Sequence, residues 1–335
     1  MALLSRELGI DLGTMFTRVA EGGQILLEEP TVAAIVVDEQ KLVAWGKEAL
    51  DMYGRVPETI EVTRPLQNGV IADYEITEKL LEFLLHKLSG PFRMFRPTVM
   101  ITVPYGVTSV ESRAVHEAVL QAGSREAYLI QQPLAASLGV DLPINTPSGN
   151  MIICLGGGST QAAVLAMYGI VSADFKRAGG MALDEAIIAY SRKKYGLVIG
   201  QMTAEQIKMK IGAAVPQSEE QSVEIQGQDQ VSGLPRPFTL TTGEVVEAIQ
   251  DTLLDIVEVA RRVLEKTPPE LVSDIIDRGI ALTGGGALLK GIDKLITKEL
   301  GVPAYLADNP TTCVAEGAVR GLKMYPIIRR SLPQV

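Results

Sequence analysis

The sequence has few of the residue types that build metal clusters, disulfide frameworks or histidine-based catalytic sites. Its 335 residues include only two cysteines and two histidines, too few for a disulfide scaffold. Cys154 and Cys313 lie far apart and lack the spacing of a zinc site. His86 and His116 lie on predicted helices with polar neighbours, where solvated or capping roles are expected. This cysteine usage indicates a reducing cytosol.

Positive charge and long apolar runs are also scarce. The formal net charge of −9 argues against a protein that binds nucleic acid over a broad basic surface, so no nucleic-acid partner is expected. Residues 1–7 contain no apolar stretch of the length that a signal peptide or a membrane span requires. We therefore expect a cytoplasmic protein whose contact with a membrane is peripheral.

Two common nucleotide-binding patterns are missing. No G-x-x-x-x-G-K-[ST] sequence occurs, and no G-x-G-x-x-G is followed by a ribose-binding acid at the required distance. These absences disfavour P-loop enzymes and dinucleotide oxidoreductases.

The order of apolar segments and glycine turns predicts two α/β lobes with mixed sheets. A chain of this length exceeds what one hydrophobic core usually spans. Two strand–glycine loop–strand units recur, at residues 9–20 and 151–167, and each is later followed by amphipathic helices. This pattern indicates a duplicated architecture. The predicted boundaries are a first lobe at 1–144 with an insert at about 32–75, a second lobe at 145–322 with an insert at about 182–242, and a tail at 323–335.

Three glycine loops follow predicted strands, at residues 11–14, 156–160 and 284–287. Glycine allows backbone N–H groups to approach phosphate oxygens closely, and successive amides form an anion-binding nest. Asp11, at the tip of a strand beside such a loop, could hold a hydrated Mg²⁺. The alternative is that each loop is an ordinary turn. Three loops, two of them in the duplicated units, favour a nucleotide site.

Longer blocks of sequence resemble the MreB family of bacterial actins. They span residues 7–322 and comprise GIDLGT at 9–14, LLEEPTVAAI at 26–35, RPLQNGVIADYEIT at 64–77, VPYGVTSVESRAV at 103–115, LDEAII at 183–188, TAEQIK at 203–208, EKTPPEL at 265–271 and DIIDRGIALTGGGALLKG at 274–291. Single pieces such as DLGT also occur in chaperone ATPases and sugar kinases, whereas the longer blocks are more specific. The resemblance implies an actin-like fold of four subdomains with ATP or ADP and Mg²⁺ in a central cleft.

The resemblance also implies roles for individual residues. Glu205 and Lys208 would lie near the ribose and base, and Asp11 would hold Mg²⁺ through water. The first phosphate loop would comprise Asp11, Gly13, Thr14, Met15, Phe16 and Thr17, the second would comprise Gly156, Gly157, Gly158, Ser159 and Thr160, and the adenosine would rest on Gly284, Gly285, Gly286 and Ala287.

The sequence departs from the family pattern within the predicted cleft. The family usually has Asp where this chain has Cys154, and Glu at the positions of Gln132 and Gln161. A carboxylate can deprotonate water whereas an amide can only orient it, and a thiol is a poor ligand for Mg²⁺. We expect Gln132 and Ser159 to form a weakened catalytic pair, with nucleotide binding retained and ATP hydrolysis weak or absent. The alternative is that compensating residues preserve hydrolysis. The departures favour a divergent paralogue.

A loop at residues 90–97 combines exposed apolar and cationic residues. Phe92, Met94 and Phe95 alternate with Arg93 and Arg96, a pattern that suits insertion into an anionic bilayer surface. The alternative is that these side chains fold back onto the core. The resemblance implies membrane insertion by this loop.

The resemblance further implies a homopolymer of paired antiparallel protofilaments at the inner face of the cell membrane. Its partners would be the membrane proteins of the wall-elongation machinery, and its role would be the control of cell shape. Two alternatives share the superfold. A sugar-kinase-like enzyme needs an Asp base that we do not find, and a chaperone-like ATPase would need a substrate-binding domain after the second lobe.

Overall fold

The computed structural model describes residues 6–39, 41–89 and 96–334. Their strands are β1 (Glu7–Leu12), β2 (Phe16–Glu21), β3 (Gln24–Pro30), β4 (Ala33–Val36), β5 (Lys41–Trp45), β6 (Ile60–Thr63), β7 (Leu66–Gln67), β8 (Val70–Ile71), β9 (Thr98–Val103), β10 (Glu126–Gln131), β11 (Asn150–Leu155), β12 (Thr160–Ala166), β13 (Gly169–Lys176), β14 (Leu197–Val198), β15 (Ser222–Asp229), β16 (Pro235–Thr241), β17 (Ile280–Thr283) and β18 (Ala304–Leu306).

The helices alternate with these strands. They are α1 (Gly46–Met52), α2 (Tyr74–Ser89), α3 (Ser109–Gln121), α4 (Gln132–Gly139), α5 (Gly180–Tyr195), α6 (Gln201–Ile211), α7 (Thr242–Lys266), α8 (Pro269–Arg278), α9 (Ile292–Leu300), α10 (Cys313–Lys323) and α11 (Tyr325–Ile328), with short 3₁₀ turns at Gly285–Leu288 and Arg329–Ser331.

Two five-stranded sheets share one topology. The first has the order β10-β9-β1-β2-β3, and the second has the order β18-β17-β11-β12-β13. In each sheet the central strand pairs antiparallel with the strand that follows it and parallel with a strand much later in the chain. The predicted duplication is therefore confirmed, and the fold belongs to the predicted α/β class. Smaller sheets, β5-β4-β6 and β14-β15-β16, extend from the two halves.

Local sequence signals place several elements where the sequence predicts them. Thr108 caps α3 and forms a complete capping box with Glu111, which satisfies two backbone N–H groups that a helix start leaves free. Gly22 and Gly23 adopt positive φ angles of 60° and 89° in the turn between β2 and β3. The β-rich run TVMITV forms β9, and all six of its residues are buried.

One apolar cluster joins the two halves of the molecule. It contains Met100 and Ile130 from the first sheet, Ile152 and Leu165 from the second sheet, and residues of α4 and α10. A separate cluster fills each half, between the first sheet, α2 and α3 on one side and between the second sheet and α5 to α9 on the other. The shared cluster forms the base from which the two halves extend.

Helices α4 and α10 approach each other so closely that glycine is required at the contact. A Cβ atom on Gly317 would lie 1.7 Å from the carbonyl oxygen of Ala135, and a Cβ atom on Gly139 would lie 1.9 Å from that of Cys313. Helix α10 also packs on β1 and β9, although roughly 300 residues of chain separate it from β1 and roughly 200 from β9. The lobe boundary at residues 144 and 145, between α4 and β11, remains a prediction.

Candidate functional site

The loops after β1 and β11 form the same tight turn. The Gly13 N–H donates to the Phe16 carbonyl at 3.2 Å, and the Gly156 N–H donates to the Ser159 carbonyl at 2.9 Å. A Cβ atom on Gly13 or Gly156 would lie 2.7 or 2.8 Å from the acceptor oxygen, so neither turn accepts a side chain at its first position without a shift. The duplication thus extends to the geometry of the two predicted phosphate loops.

The two turns contact each other across the gap between the sheets. A Cβ atom on Gly157 would lie 2.1 Å from Met15 Cγ, and a Cβ atom on Gly158 would lie 2.6 Å from Thr14 Oγ1. The Thr14 hydroxyl also accepts a hydrogen bond from the Gly69 N–H at 2.8 Å. Backbone amides from both halves of the chain are therefore brought together at one place.

Around these turns lies a cleft of about 600 Å³, within the size range of ligand pockets. Both sheets contribute to its walls, as does the predicted third loop. The predicted site residues that line it are Asp11, Gly13, Thr14, Met15, Phe16, Gln132, Gly156, Gly157, Gly158, Ser159, Glu205, Lys208, Gly284, Gly285 and Gly286.

Three other predicted residues are buried beside the cleft rather than on its lining. The Thr17 hydroxyl hydrogen-bonds that of Thr31 at 2.9 Å, and the Thr160 hydroxyl donates to the Ala178 carbonyl at 2.9 Å. Ala287 lies in the 3₁₀ turn after β17 and is 4% exposed. These side chains support the loops from behind.

A chain of amide groups connects the halves at the floor of the cleft. The Tyr105 N–H donates to Gln161 Oε1 at 2.7 Å, and Gln161 Nε2 donates to Gln132 Oε1. Gln132 Nε2 in turn donates to Asp11 Oδ1 at 3.2 Å. Because Gln161 lies on β12 and the other three residues belong to the first half, this chain bridges the two sheets.

Asp11 is buried at the end of that amide chain. The Thr102 hydroxyl also donates to Asp11 Oδ1, at 3.0 Å. Burial is the largest influence and raises the pKa of Asp11, whereas the nearby Arg18 guanidinium and the two hydrogen bonds lower it. The carboxyl group is thus held in one orientation by two donors.

Cys154 places a neutral group at the same floor, at the position where the family resemblance implies an Asp. Burial raises the pKa of the Cys154 thiol to about 12, so the group is uncharged at neutral pH. Within the residues that the structure describes, no group of three or more His, Cys, Asp or Glu side chains is arranged to hold a metal ion. Asp11 is a carboxylate that fits a water-mediated Mg²⁺, and Cys154 does not add a second one.

The wall formed by α5 and α6 carries a buried ion pair. Lys208 Nζ lies 2.7 Å from Asp184 Oδ1 and donates to the Gly180 carbonyl at 2.8 Å. Burial raises the pKa of Asp184 to about 6, while the Lys208 charge opposes this rise. Across the cleft, burial lowers the pKa of Arg64, and the negative charge of Glu205 opposes that change. Lys208 is thus already paired with protein groups in this structure.

The sequence interpretation missed six charged residues of the cleft lining, which are Arg18, Glu28, Asp184, Lys210, Glu219 and Lys290. Arg18 pairs with Asp11 in the β1–β2 register and with Glu28 in the β2–β3 register. Counting back from the hairpin turn at Gly22 and Gly23 would have placed Leu27 opposite Arg18, because a register shift between Val19 and Ala20 brings Glu28 to that position. Asp184 is part of the LDEAII block, but no local signal marks it as a cleft residue.

The predicted membrane-binding residues, Phe92, Met94 and Phe95, lie outside the described residues. Over 6–39, 41–89 and 96–334, no helix combines the length and the apolar character needed to cross a bilayer.

Comparisons with known proteins identify the family of the chain. The family model described as MreB/Mbl protein matches residues 5–329. The chain belongs to the MreB/Mbl family. The cell shape-determining protein MreB of Escherichia coli K12 is 44% identical to it over 328 residues, which cover 96% of this chain and 94% of that protein.

Solved structures place this MreB/Mbl protein in the actin-like fold. MreB5 of Spiroplasma citri bound to ADP matches with a TM-score of 0.91 and 33% identity, covering 96% of this chain and 97% of that one. The same protein bound to AMPPNP matches with a TM-score of 0.91 and 32% identity, with the same coverage. A MamK double helical filament matches with a TM-score of 0.81 at 21% identity, covering 96% of this chain and 99% of that one, which shows a shared fold alone.

The buried Asp184 gives this MreB/Mbl protein a testable pH dependence. Its folded pKa of about 6 lies above its ordinary value of 3.8, so the folded state binds more protons than the unfolded state between these values. The free energy of unfolding of the wild type, relative to that of Asp184→Asn, should therefore fall by roughly 2 kcal/mol as the pH rises from about 4 to about 7. Urea unfolding of both proteins at both pH values measures this difference. A difference that stays constant or grows with pH would contradict the proposed environment of Asp184.

Proposed function

We propose that this MreB/Mbl protein binds an adenine nucleotide between its two halves, polymerises into filaments and acts in the control of cell shape. The observation that carries the proposal is the contact between two glycine turns with the same hydrogen-bond pattern, one from each sheet, at the floor of a cleft of ligand size. Support comes from relatives whose names describe cell shape determination and from MreB5 bound to ADP and to AMPPNP.

In this proposal the amides of the two turns bind the phosphates. The second turn has additional support from α5, since the Gly180 and Met181 N–H groups donate to the Gly156 and Gly157 carbonyls at 3.0 and 2.8 Å. The third loop, Gly284 to Ala287, would support the adenosine. Glu205 and Lys208 would lie near the ribose and base. Lys208 would then give up part of its contact with Asp184 and contact the nucleotide instead.

Asp11 would hold Mg²⁺ through water, with its own orientation fixed by Thr102 and Gln132. When bound, the ion would neutralise part of the phosphate charge. The protein's own contribution is to fix the carboxyl group and to surround it with neutral donors.

We also propose that ATP hydrolysis is weak. Both polar ends of the Gln132 amide are engaged, the nitrogen with Asp11 and the oxygen with Gln161. An amide has no accessible protonation equilibrium, and the neutral Cys154 and Gln161 add no base. Gln132 and Ser159 would therefore form a catalytic pair with little ability to activate water.

Restoring carboxylates at the floor should raise hydrolysis. A triple variant, Gln132→Glu with Cys154→Asp and Gln161→Glu, should release phosphate from ATP at least about tenfold faster than the wild type, since general-base catalysis contributes about 10²–10⁴-fold. Initial rates of phosphate release with Mg²⁺ measure this.

The matched control is Gln217→Glu, which adds a carboxylate to the lining of the same cleft away from the floor residues. This control should leave the rate unchanged. A wild-type rate equal to that of the triple variant would show that hydrolysis does not depend on the missing carboxylates.

Polymerisation is proposed from the family and from the actin-like fold, which MamK adopts in a double helical filament. Such a filament needs a head-to-tail interface that does not close into a ring. We expect the wild type to sediment with ATP and to show filaments by negative-stain electron microscopy. Gly158→Val, whose side chain would meet Thr14, should reduce the sedimented fraction severalfold, because the two turns must separate.

Gly200→Ala is the control for this variant, since a Cβ atom there would have no neighbour within 4 Å. A wild type that stays monomeric with and without ATP would refute the filament proposal. Equal sedimentation of Gly158→Val and the wild type would instead show that filament formation does not depend on the contact between the two turns.

Membrane association is proposed from the apolar and cationic sequence at residues 90–97 alone. Phe92→Ser with Phe95→Ser should reduce co-flotation with anionic vesicles severalfold, because apolar insertion is lost while Arg93 and Arg96 remain. Val231→Ser is a suitable control, since Val231 is a fully exposed apolar residue (98%) in the turn between β15 and β16. Flotation of the double variant at the wild-type level would exclude the loop as the membrane anchor. The membrane proteins of the wall-elongation machinery remain proposed partners.

A further inference from the structure

A row of alternating charges crosses the first sheet within the cleft. Asp11 lies opposite Arg18, and Arg18 lies opposite Glu28, on three successive antiparallel strands. Residues directly opposite each other in an antiparallel pair share one face of the sheet. All three side chains line the same cleft as the two glycine turns.

Arg18 is the positive member of this row, and its hydrogen bonding is incomplete. One terminal nitrogen donates to Glu28 Oε1 at 3.0 Å, and the guanidinium lies 5.1 Å from the centroid of the Phe16 ring. The side chain is only 12% exposed, and its Nε is buried without a hydrogen-bond partner among the described residues. A buried donor without an acceptor is costly, so such a group in a cleft indicates an acceptor supplied by a ligand.

The charge balance around Arg18 indicates that this acceptor is an anionic group. Glu28 is 42% exposed at the outer end of the row, so it neutralises Arg18 only in part. At the inner end, Asp11 already accepts two hydrogen bonds from other residues. Gln132, Gln161 and the neutral thiol of Cys154 add no negative charge to the floor. The guanidinium group presents five N–H donors in a geometry that suits phosphate oxygens.

We propose that Arg18 is a phosphate-binding residue of the nucleotide site. Its guanidinium donates to a non-bridging phosphate oxygen of the nucleoside polyphosphate that the two glycine turns hold. Arg18 thereby supplies a fixed positive charge beside Asp11, the carboxylate that is proposed to hold Mg²⁺ through water. The inference rests on the proposed nucleotide binding and adds to it a direct side-chain contact with the phosphates.

Calorimetric titration of three ligands tests this assignment: ADP, AMPPNP and adenosine, each with Mg²⁺ and with EDTA. Arg18→Met keeps a similar volume and removes the charge. The affinity of this variant for ADP and AMPPNP should fall at least about tenfold, as expected for a charge-assisted hydrogen bond, while its weak affinity for adenosine stays unchanged. The loss should occur in EDTA as well as in Mg²⁺, because the contact is direct. Arg18→Lys should recover part of the affinity.

Glu28→Gln is the matched control. It removes the partner of Arg18 and leaves the guanidinium free for phosphate, so ADP affinity should stay equal or rise. If Arg18 served only to pair with Glu28, the two variants would instead weaken binding alike. Melting curves without ligand show whether each variant is folded.

Several results would overturn the assignment: wild-type ADP affinity in Arg18→Met, an equal loss of adenosine affinity, or a loss confined to solutions with Mg²⁺. The last of these would mean that Arg18 acts through the ion site. A wild type that binds none of the three ligands would refute the proposed function itself, which distinguishes that failure from failure of the Arg18 contact.

Discussion

The structure depends on a contact between two turns that leaves no room for a side chain at Gly157 or Gly158. Met15 packs where a Cβ atom of Gly157 would lie, and Thr14 packs where that of Gly158 would lie. Because each turn ends the central strand of its own sheet, this contact fixes how closely the two sheets approach. The apolar cluster that contains residues of both sheets, α4 and α10 also holds the two sheets together. In the proposed function, the phosphates would bind at this same contact between the halves.

Around this contact the floor of the cleft is built for binding more than for proton transfer. Two glutamines and a neutral thiol stand beside the carboxyl group of Asp11, and the glutamines link the two sheets through their amides. Amide and thiol groups can bind a ligand and can link the two sheets by hydrogen bonds. They cannot act as a general base that accepts a proton from water. In the proposed function, the occupancy and exchange of nucleotide therefore control the protein more than hydrolysis does.

Sequence reasoning located the features that depend on local chemistry. The glycine turns, the strand at 98–103 and the capping box at Thr108 were predictable, because each follows from a few adjacent residues. Helix α4 was missed because all but the ends of its eight residues are buried, so it shows no helical period. The packing of α10 on β1 and the place of Asp184 beside Lys208 depend on contacts distant in the chain. Arg18 needed the register of three strands, which a single sequence only suggests.

A structure of the protein with AMPPNP tests the central claim most directly. The contact between the turns predicts that the phosphates lie between Gly13–Phe16 and Gly156–Ser159, with N–H groups from both turns within hydrogen-bond distance. It also predicts that the separation of the two sheets differs between the nucleotide-free protein and the protein with AMPPNP bound. A nucleotide that binds elsewhere, or that contacts one turn while the other stays unchanged, would contradict the claim that the two halves are held together through the phosphates.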